Sequence, residues 1–159
     1  MEERQDRILG RCILLGAIWL GLHLFSGVRN LFDSFYETYD LWTFVWATVY
    51  AVALAALDIG LFFLDSRSAA KSWLRYWLFC SGVMVAALIV SVTDMDVGLA
   101  MLLPLLATPY CNFAPTLLKI FRLDFNGSAA CLLLVCAAHA FYFFRLMRRT
   151  EKREEIAHG

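Results

Sequence analysis

The sequence predicts an all-α membrane protein, a small multi-pass helical bundle with four full spans and a proline-broken or re-entrant fourth hydrophobic segment. Three observations predict it. Hydrophobic residues make up 61% of the 159 and charged residues only 18%, with a mean hydropathy of +0.65. Soluble domains run nearer about 45–50% apolar and about 25% charged. The formal net charge is zero, yet the charges sit in short clusters between long uncharged runs, as expected when only the connections meet water. Finally, five apolar segments approach the ~20 residues that a helix needs to cross about 30 Å of hydrocarbon. The length suits one bundle, residues 1–149, followed by a short charged tail, residues 150–159.

The first segment, residues 8–28, has an uncharged core from Cys12 to Val28. Its acidic lead, long apolar run and missing A-x-A-like site separate it from a signal peptide, so it reads as a retained span. Ala17 and Gly21 form a small-xxx-small pair within it. In the loop that follows, Phe32, Phe35, Tyr36 and Tyr39 recur at helical spacing opposite Asp33, Glu37 and Asp40. Arg29 is placed to pair with Asp33, and the pattern predicts a short helix lying on the membrane surface.

The second segment, residues 41–64, is interrupted only by Asp58, and Ala47, Ala51 and Ala55 give it a smooth face. The third, residues 72–93, carries Gly82 and Ala86 at the same spacing. These pairs read as contacts inside the chain rather than a dimer seam. Trp42 and Trp46 open the second segment, Trp73, Tyr76 and Trp77 open the third, and residues 141–144 close the fifth. Amphipathic rings favour the headgroup boundary, so these clusters are expected there.

The fourth segment, residues 97–118, contains Pro104, Pro109 and Pro115. Only 11 residues precede the Thr108–Pro109 step, about 16 Å of helix, and a residue before proline disfavours the α region. Pro115 suits the first position of a new short helix. Any non-helical backbone near Asn112 must then be covered by protein or line a wet cavity, since bare backbone cannot face lipid. Its full length of 22 residues also permits a kinked fifth span, the alternative topology. The last segment, residues 126–144, holds Cys131, Cys136 and His139.

Lysine and arginine decide between the two topologies. If the fourth segment returns to the side it entered, 11 of the 14 basic residues share one side with the N-terminus and three lie opposite. If it crosses, the two sides are nearly equal and the basic tail lies outside. The positive-inside rule favours the first arrangement, with the N-terminus cytoplasmic in a plasma (inner) membrane.

Asp58 is the one carboxylate well inside an apolar span, and such a residue is a functional candidate. It lies six residues before Leu64, and His139 lies six before Arg145, each about 9 Å along its helix. With four spans both sit at the same depth and can pair, with Arg11 entering from the same end; with five spans they cannot. The candidate polar site is therefore Asp58, His139, Arg11 and Asn112. His23 reads as a packed, hydrogen-bonded histidine. Cys136 and His139 share a face, but two ligands are too few for a metal site. The five cysteines all lie in apolar segments with no CxxC pair and read as buried small hydrophobes. Asn126-Gly-Ser128 is a glycosylation sequon only in a luminal loop of a eukaryotic chain.

No phosphate loop, nucleophile elbow, HExxH or dinucleotide fingerprint occurs, and the basic tail is interleaved with Glu151, Glu154 and Glu155. Neither cofactor, metal nor nucleic acid is expected. The expectation is a non-enzymatic accessory or interaction protein whose partners are the lipid bilayer and a second copy or another membrane protein. The alternative is a small oligomeric transporter or channel using the Asp58/His139 pair. An intramembrane enzyme is the weakest reading, because the spans hold one carboxylate and two histidines.

Overall fold

The computed structural model describes residues 2–36, 39–64, 66–93, 109, 112–113 and 116–158. Four long helices hold most of them: α1 (Glu2–Tyr36), α2 (Leu41–Leu64), α3 (Arg67–Val92) and α4 (Phe125–His158). No strand occurs among the described residues. Each helix includes a stretch long and apolar enough to cross a membrane: Leu9–Asn30, Leu41–Leu64, Arg67–Val92 and Phe125–Arg153. Large apolar side chains such as Leu24, Val52, Phe63, Phe79 and Leu134 point outward. A bundle in water would bury these; in a bilayer, outward apolar side chains meet lipid tails of their own kind.

The helices run up, down, up, down. Arg29 at the far end of α1 meets Asp40 just before α2, and Cys12 near its start lies against Gly60, so α1 and α2 are antiparallel. Arg67 at the start of α3 pairs with Glu151 late in α4 at 2.6 Å, and Trp73 stacks on Phe143, so α3 and α4 are antiparallel too. It follows that α3 ends and α4 begins at the same end of the bundle. Counted along the described residues, α4 is the fourth helix long and apolar enough to cross a membrane.

Local chemistry sets the helix starts. Ser66 caps α3, its side chain accepting from the Ala69 N–H. Asp40 caps α2 by accepting from the Thr43 N–H at 2.8 Å and the Thr43 hydroxyl at 2.9 Å. Those Thr43 hydrogen bonds, helped by Arg29, hold the exposed Asp40 carboxyl below its usual range.

Several expectations change. The predicted surface helix after the first span does not exist as a separate element, because α1 continues unbroken to Tyr36. Nothing between Arg29 and Tyr36 stops a helix: the run contains neither glycine nor proline. Arg29 reaches Asp40, while the Asp33 side chain lies outside the described residues. Trp77 is fully buried and Trp73 and Tyr76 are half-buried, packed in the core rather than anchored at a boundary. Ala17, Gly21, Gly82 and Ala86 face outward instead of forming contacts inside the chain. Ala47, from the alanine row of the second segment, is buried as expected, and Ala70, Ala87, Ala129 and Ala140 also lie inside.

Of the fourth hydrophobic segment, Pro109, Asn112 and Phe113 are described, and then a π-helical turn at Thr116–Ile120. Leu117 and Leu118 are half-buried, while Lys119, Ile120 and Phe121 are exposed. Arg122 follows with φ of +54°, a left-handed residue that turns the chain into α4. Pro104, Thr108, Cys111 and Pro115 lie outside the described residues, as does the loop at residues 94–96.

Candidate functional site

Two polar clusters sit in the bundle, one toward each end, and a run of aromatic rings occupies the space between them.

The first cluster joins α2 to α4. His139 Nε2 lies 3.1 Å from Asp58 Oδ2, and its other ring nitrogen, Nδ1, lies 2.9 Å from the Val135 carbonyl oxygen. A carbonyl oxygen only accepts, so Nδ1 carries a hydrogen and donates to it. Nε2 and Oδ2 then face each other and hold a proton between them. Either an imidazolium donates to a carboxylate, or a carboxylic acid donates to a neutral imidazole. Both forms are neutral in total, which is what a hydrocarbon surrounding requires. Trp77 stacks on the imidazole with ring centroids 4.2 Å apart at 25°, and an indole face stabilises an adjacent cation.

Tyr142, three residues after His139 on the same helical face, donates its hydroxyl to the Asp58 backbone carbonyl oxygen at 3.4 Å. Asp58 Oδ1 is buried without a hydrogen-bond partner among the described residues. The pair sits beside an outward groove of about 390 Å³ lined by Ala55, Asp58, Ile59, Ala138, His139 and Tyr142. Both side chains keep some exposure there, 24% for His139 and 18% for Asp58.

The second cluster closes the opposite half. Asn112 and Ser26 are fully buried, and the Ser26 hydroxyl donates to Asn112 Oδ1. Asn112 Nδ2 and the Tyr50 hydroxyl each approach His23 Nδ1 at 3.4 Å. An amide nitrogen only donates, so Nδ1 is the acceptor and the imidazole hydrogen sits on Nε2. Phe113 packs its ring edge against Tyr50 at 5.7 Å. Asn112 and Phe113 are thus packed against α1 and α2, with the Asn112 amide satisfied inside the protein.

Between the clusters, rings touch in sequence. Trp19 stacks on His23 at 5.5 Å and meets Tyr76 edge-on at 5.7 Å. Tyr76 meets Trp77 at 5.3 Å, and Trp77 stacks on His139.

Of the four residues predicted for the polar site, the structure brings together Asp58 and His139. Arg11 is exposed and, among the described residues, makes no ion pair with Asp58; His139 pairs with Asp58 without Arg11. Asn112 belongs to the other cluster. Sequence reasoning missed Tyr142, Trp77, Ser26 and Tyr50. Tyr142 and Ser26 were findable, since each follows a histidine by three residues and shares its helical face. Trp77 was read as a boundary residue and carried no signal of burial.

Among the described residues the thiols form no second centre: Cys12, Cys80, Cys131 and Cys136 are free, and Cys12, Cys80 and Cys136 are buried as expected, whereas Cys131 faces outward against expectation. Among the described residues no three His, Cys, Asp or Glu side chains gather as a metal site would need. Comparison with protein-family models, with curated proteins and with solved structures finds no match.

Proposed function

We propose that the chain is a non-enzymatic membrane protein that acts by packing its spans against a helix of another membrane protein or of a second copy. The observation that carries this reading is the outward placement of the small-residue pairs. Ala17 and Gly21 on α1, and Gly82 and Ala86 on α3, are exposed. A Cβ added at Gly21 or Gly82 would meet nothing within 4 Å. Inside a bilayer, helices associate by close packing over such residues, because lipid tails offer apolar surface as freely as leucine does. The fold itself makes no use of them.

The test follows from that open space. Gly21→Leu and Gly82→Leu should fold at least as well as the parent, since leucine is the better helix former by roughly 0.8 kcal/mol. The same variants should lose association with the partner in crosslinking from native membranes. Unchanged crosslinking in both would end the proposal.

A sealed bundle is the companion expectation, supported by the rings that fill the space between the two polar clusters. Purified protein in proteoliposomes should give no proton or ion flux, with or without Asp58→Asn. The second reading, a transporter, draws on the proton held between His139 and Asp58 beside an open groove. Wild-type flux that disappears in Asp58→Asn would establish it, because an amide cannot titrate.

The same reading puts both termini on the cytoplasmic side of a plasma (inner) membrane. The bundle end that carries them also carries 11 of the 14 lysines and arginines, which supports this orientation. Reporters fused at Met1 and after Gly159 should both read inside, and an external C-terminal reporter would refute it.

A further inference from the structure

At the end of the bundle that holds the termini, α4 runs on past its apolar stretch as far as His158. Arg145, Arg149 and Lys152 recur there at spacings of four and three, so they share one face of the helix. With Phe62 from α2 they line a cleft of about 790 Å³ between the two helices, and Phe144 and Tyr142 complete its apolar wall. The Arg149 guanidinium lies 4.7 Å from the centroid of the Phe62 ring, which fixes it against the mouth of the cleft. Glu151, the nearest carboxylate along the helix, is engaged by Arg67 at 2.6 Å and by Arg148, itself on the cleft lining, at 3.5 Å. Among the described residues no carboxylate pairs with Arg145, Arg149 or Lys152. Arg145 stands six residues beyond His139, about 9 Å along the axis, where α4 passes from its apolar stretch into its charged one.

We propose that this cleft binds the headgroup phosphate of an anionic phospholipid from the surrounding bilayer, with Arg145, Arg149 and Lys152 holding the phosphate. The acyl chains run up the bundle over the exposed faces of Phe62 and Phe144. The charges and the apolar wall together select a lipid over a soluble anion. Three unpaired cations attract the negative phosphate, and a planar guanidinium gives it two parallel hydrogen bonds. The rings offer nothing to a free phosphate, but they cover an acyl chain at the depth where it starts. Basic pockets at the cytoplasmic ends of membrane helices hold anionic headgroups by this combination.

The experiment titrates the full chain, purified in a neutral detergent, with short-chain phosphatidylglycerol, phosphatidylcholine and inorganic phosphate, and detects bound molecules by native mass spectrometry. Phosphatidylglycerol should bind in preference to phosphatidylcholine. Arg149→Gln/Lys152→Gln should weaken phosphatidylglycerol about 10-fold or more, and Phe62→Ala should weaken it by a smaller factor. Lys71→Gln/Arg75→Gln removes the same charge from the same end of the bundle, on exposed positions of α3, and should leave binding unchanged. Helical content measured on each variant distinguishes lost binding from lost fold. Equal loss in the α3 variant would overturn the site in favour of diffuse attraction. Equal binding of phosphatidylcholine would overturn the charge argument, and phosphate competing as well as the lipid would overturn the lipid.

Discussion

His139→Ala should destabilise the bundle by about 3–5 kcal/mol, and adding Asp58→Asn to the same chain should recover most of that loss. The histidine removes no large volume from the core, since its ring lies partly open to the groove. Its loss matters because of what it leaves behind. Asp58 would keep one oxygen already without a partner among the described residues and lose the His139 donor to the other, 3.1 Å away. A lone carboxylate well inside a span costs roughly 2.5–3.5 kcal/mol on insertion scales, and among the described residues no cation other than His139 pairs with Asp58. Asparagine ends that problem at its source: an amide needs no counter-charge and its desolvation is far cheaper. Asp58→Asn alone should therefore be mild, within about 1 kcal/mol, its amide still able to meet His139 Nε2. Unfolding of the four proteins in mixed micelles, followed by loss of helical signal, gives the complete double-mutant cycle. If the double variant proves no better than His139→Ala alone, the pair is not what joins α2 to α4.

The same pair shows how much could be read before the structure. Its existence followed from one count of basic residues: four crossings place Asp58 and His139 at one depth, and five separate them. Hydropathy gave the second span with the bounds of α2, because Asp40 caps it and Leu64 is followed at once by Asp65, a charge. What stayed illegible was the direction in which rings point. Trp42 and Trp77 both lie near the start of a hydrophobic run. Yet Trp42 is 60% exposed and Trp77 is fully buried. An indole is amphipathic enough for either place, and only the packing of α3 against α4 decides. The pairs Ala17/Gly21 and Gly82/Ala86 face outward for a related reason, although Ala47 is buried. Their spacing marks a face that permits close approach, but the sequence does not say whether the approaching helix comes from the same chain. Here the interior went to Trp19, Tyr50, Trp77 and Phe143, so Gly21 and Gly82 were left outside.

Trp77 carries the other large effect, and its two natural replacements should behave very differently. Trp77→Ala should cost about 3–5 kcal/mol, the usual range for deleting a buried indole. In a bilayer this loss comes from forfeited contacts rather than from exposure to water, because neighbouring helices and lipid tails are equally apolar. The cavity would open beside His139, which would also lose the ring stacked on it at 4.2 Å. Trp77→Phe is a separate case. It removes the part of the indole that includes Nε1, a buried N–H without a hydrogen-bond partner among the described residues. The lost volume costs about 1 kcal/mol at roughly 24 cal/mol per Å³ of cavity. Removing an unsatisfied buried donor returns about 1–3 kcal/mol, so the lost volume is offset at least in full. A phenyl ring also still presents a face to the imidazole, although a weaker one for a cation than indole. Micelle unfolding should thus place Trp77→Phe level with the parent or above it and Trp77→Ala far below it. A phenylalanine variant as unstable as the alanine one would mean that Nε1 does have a partner, and that this core is held by a hydrogen bond as well as by packing.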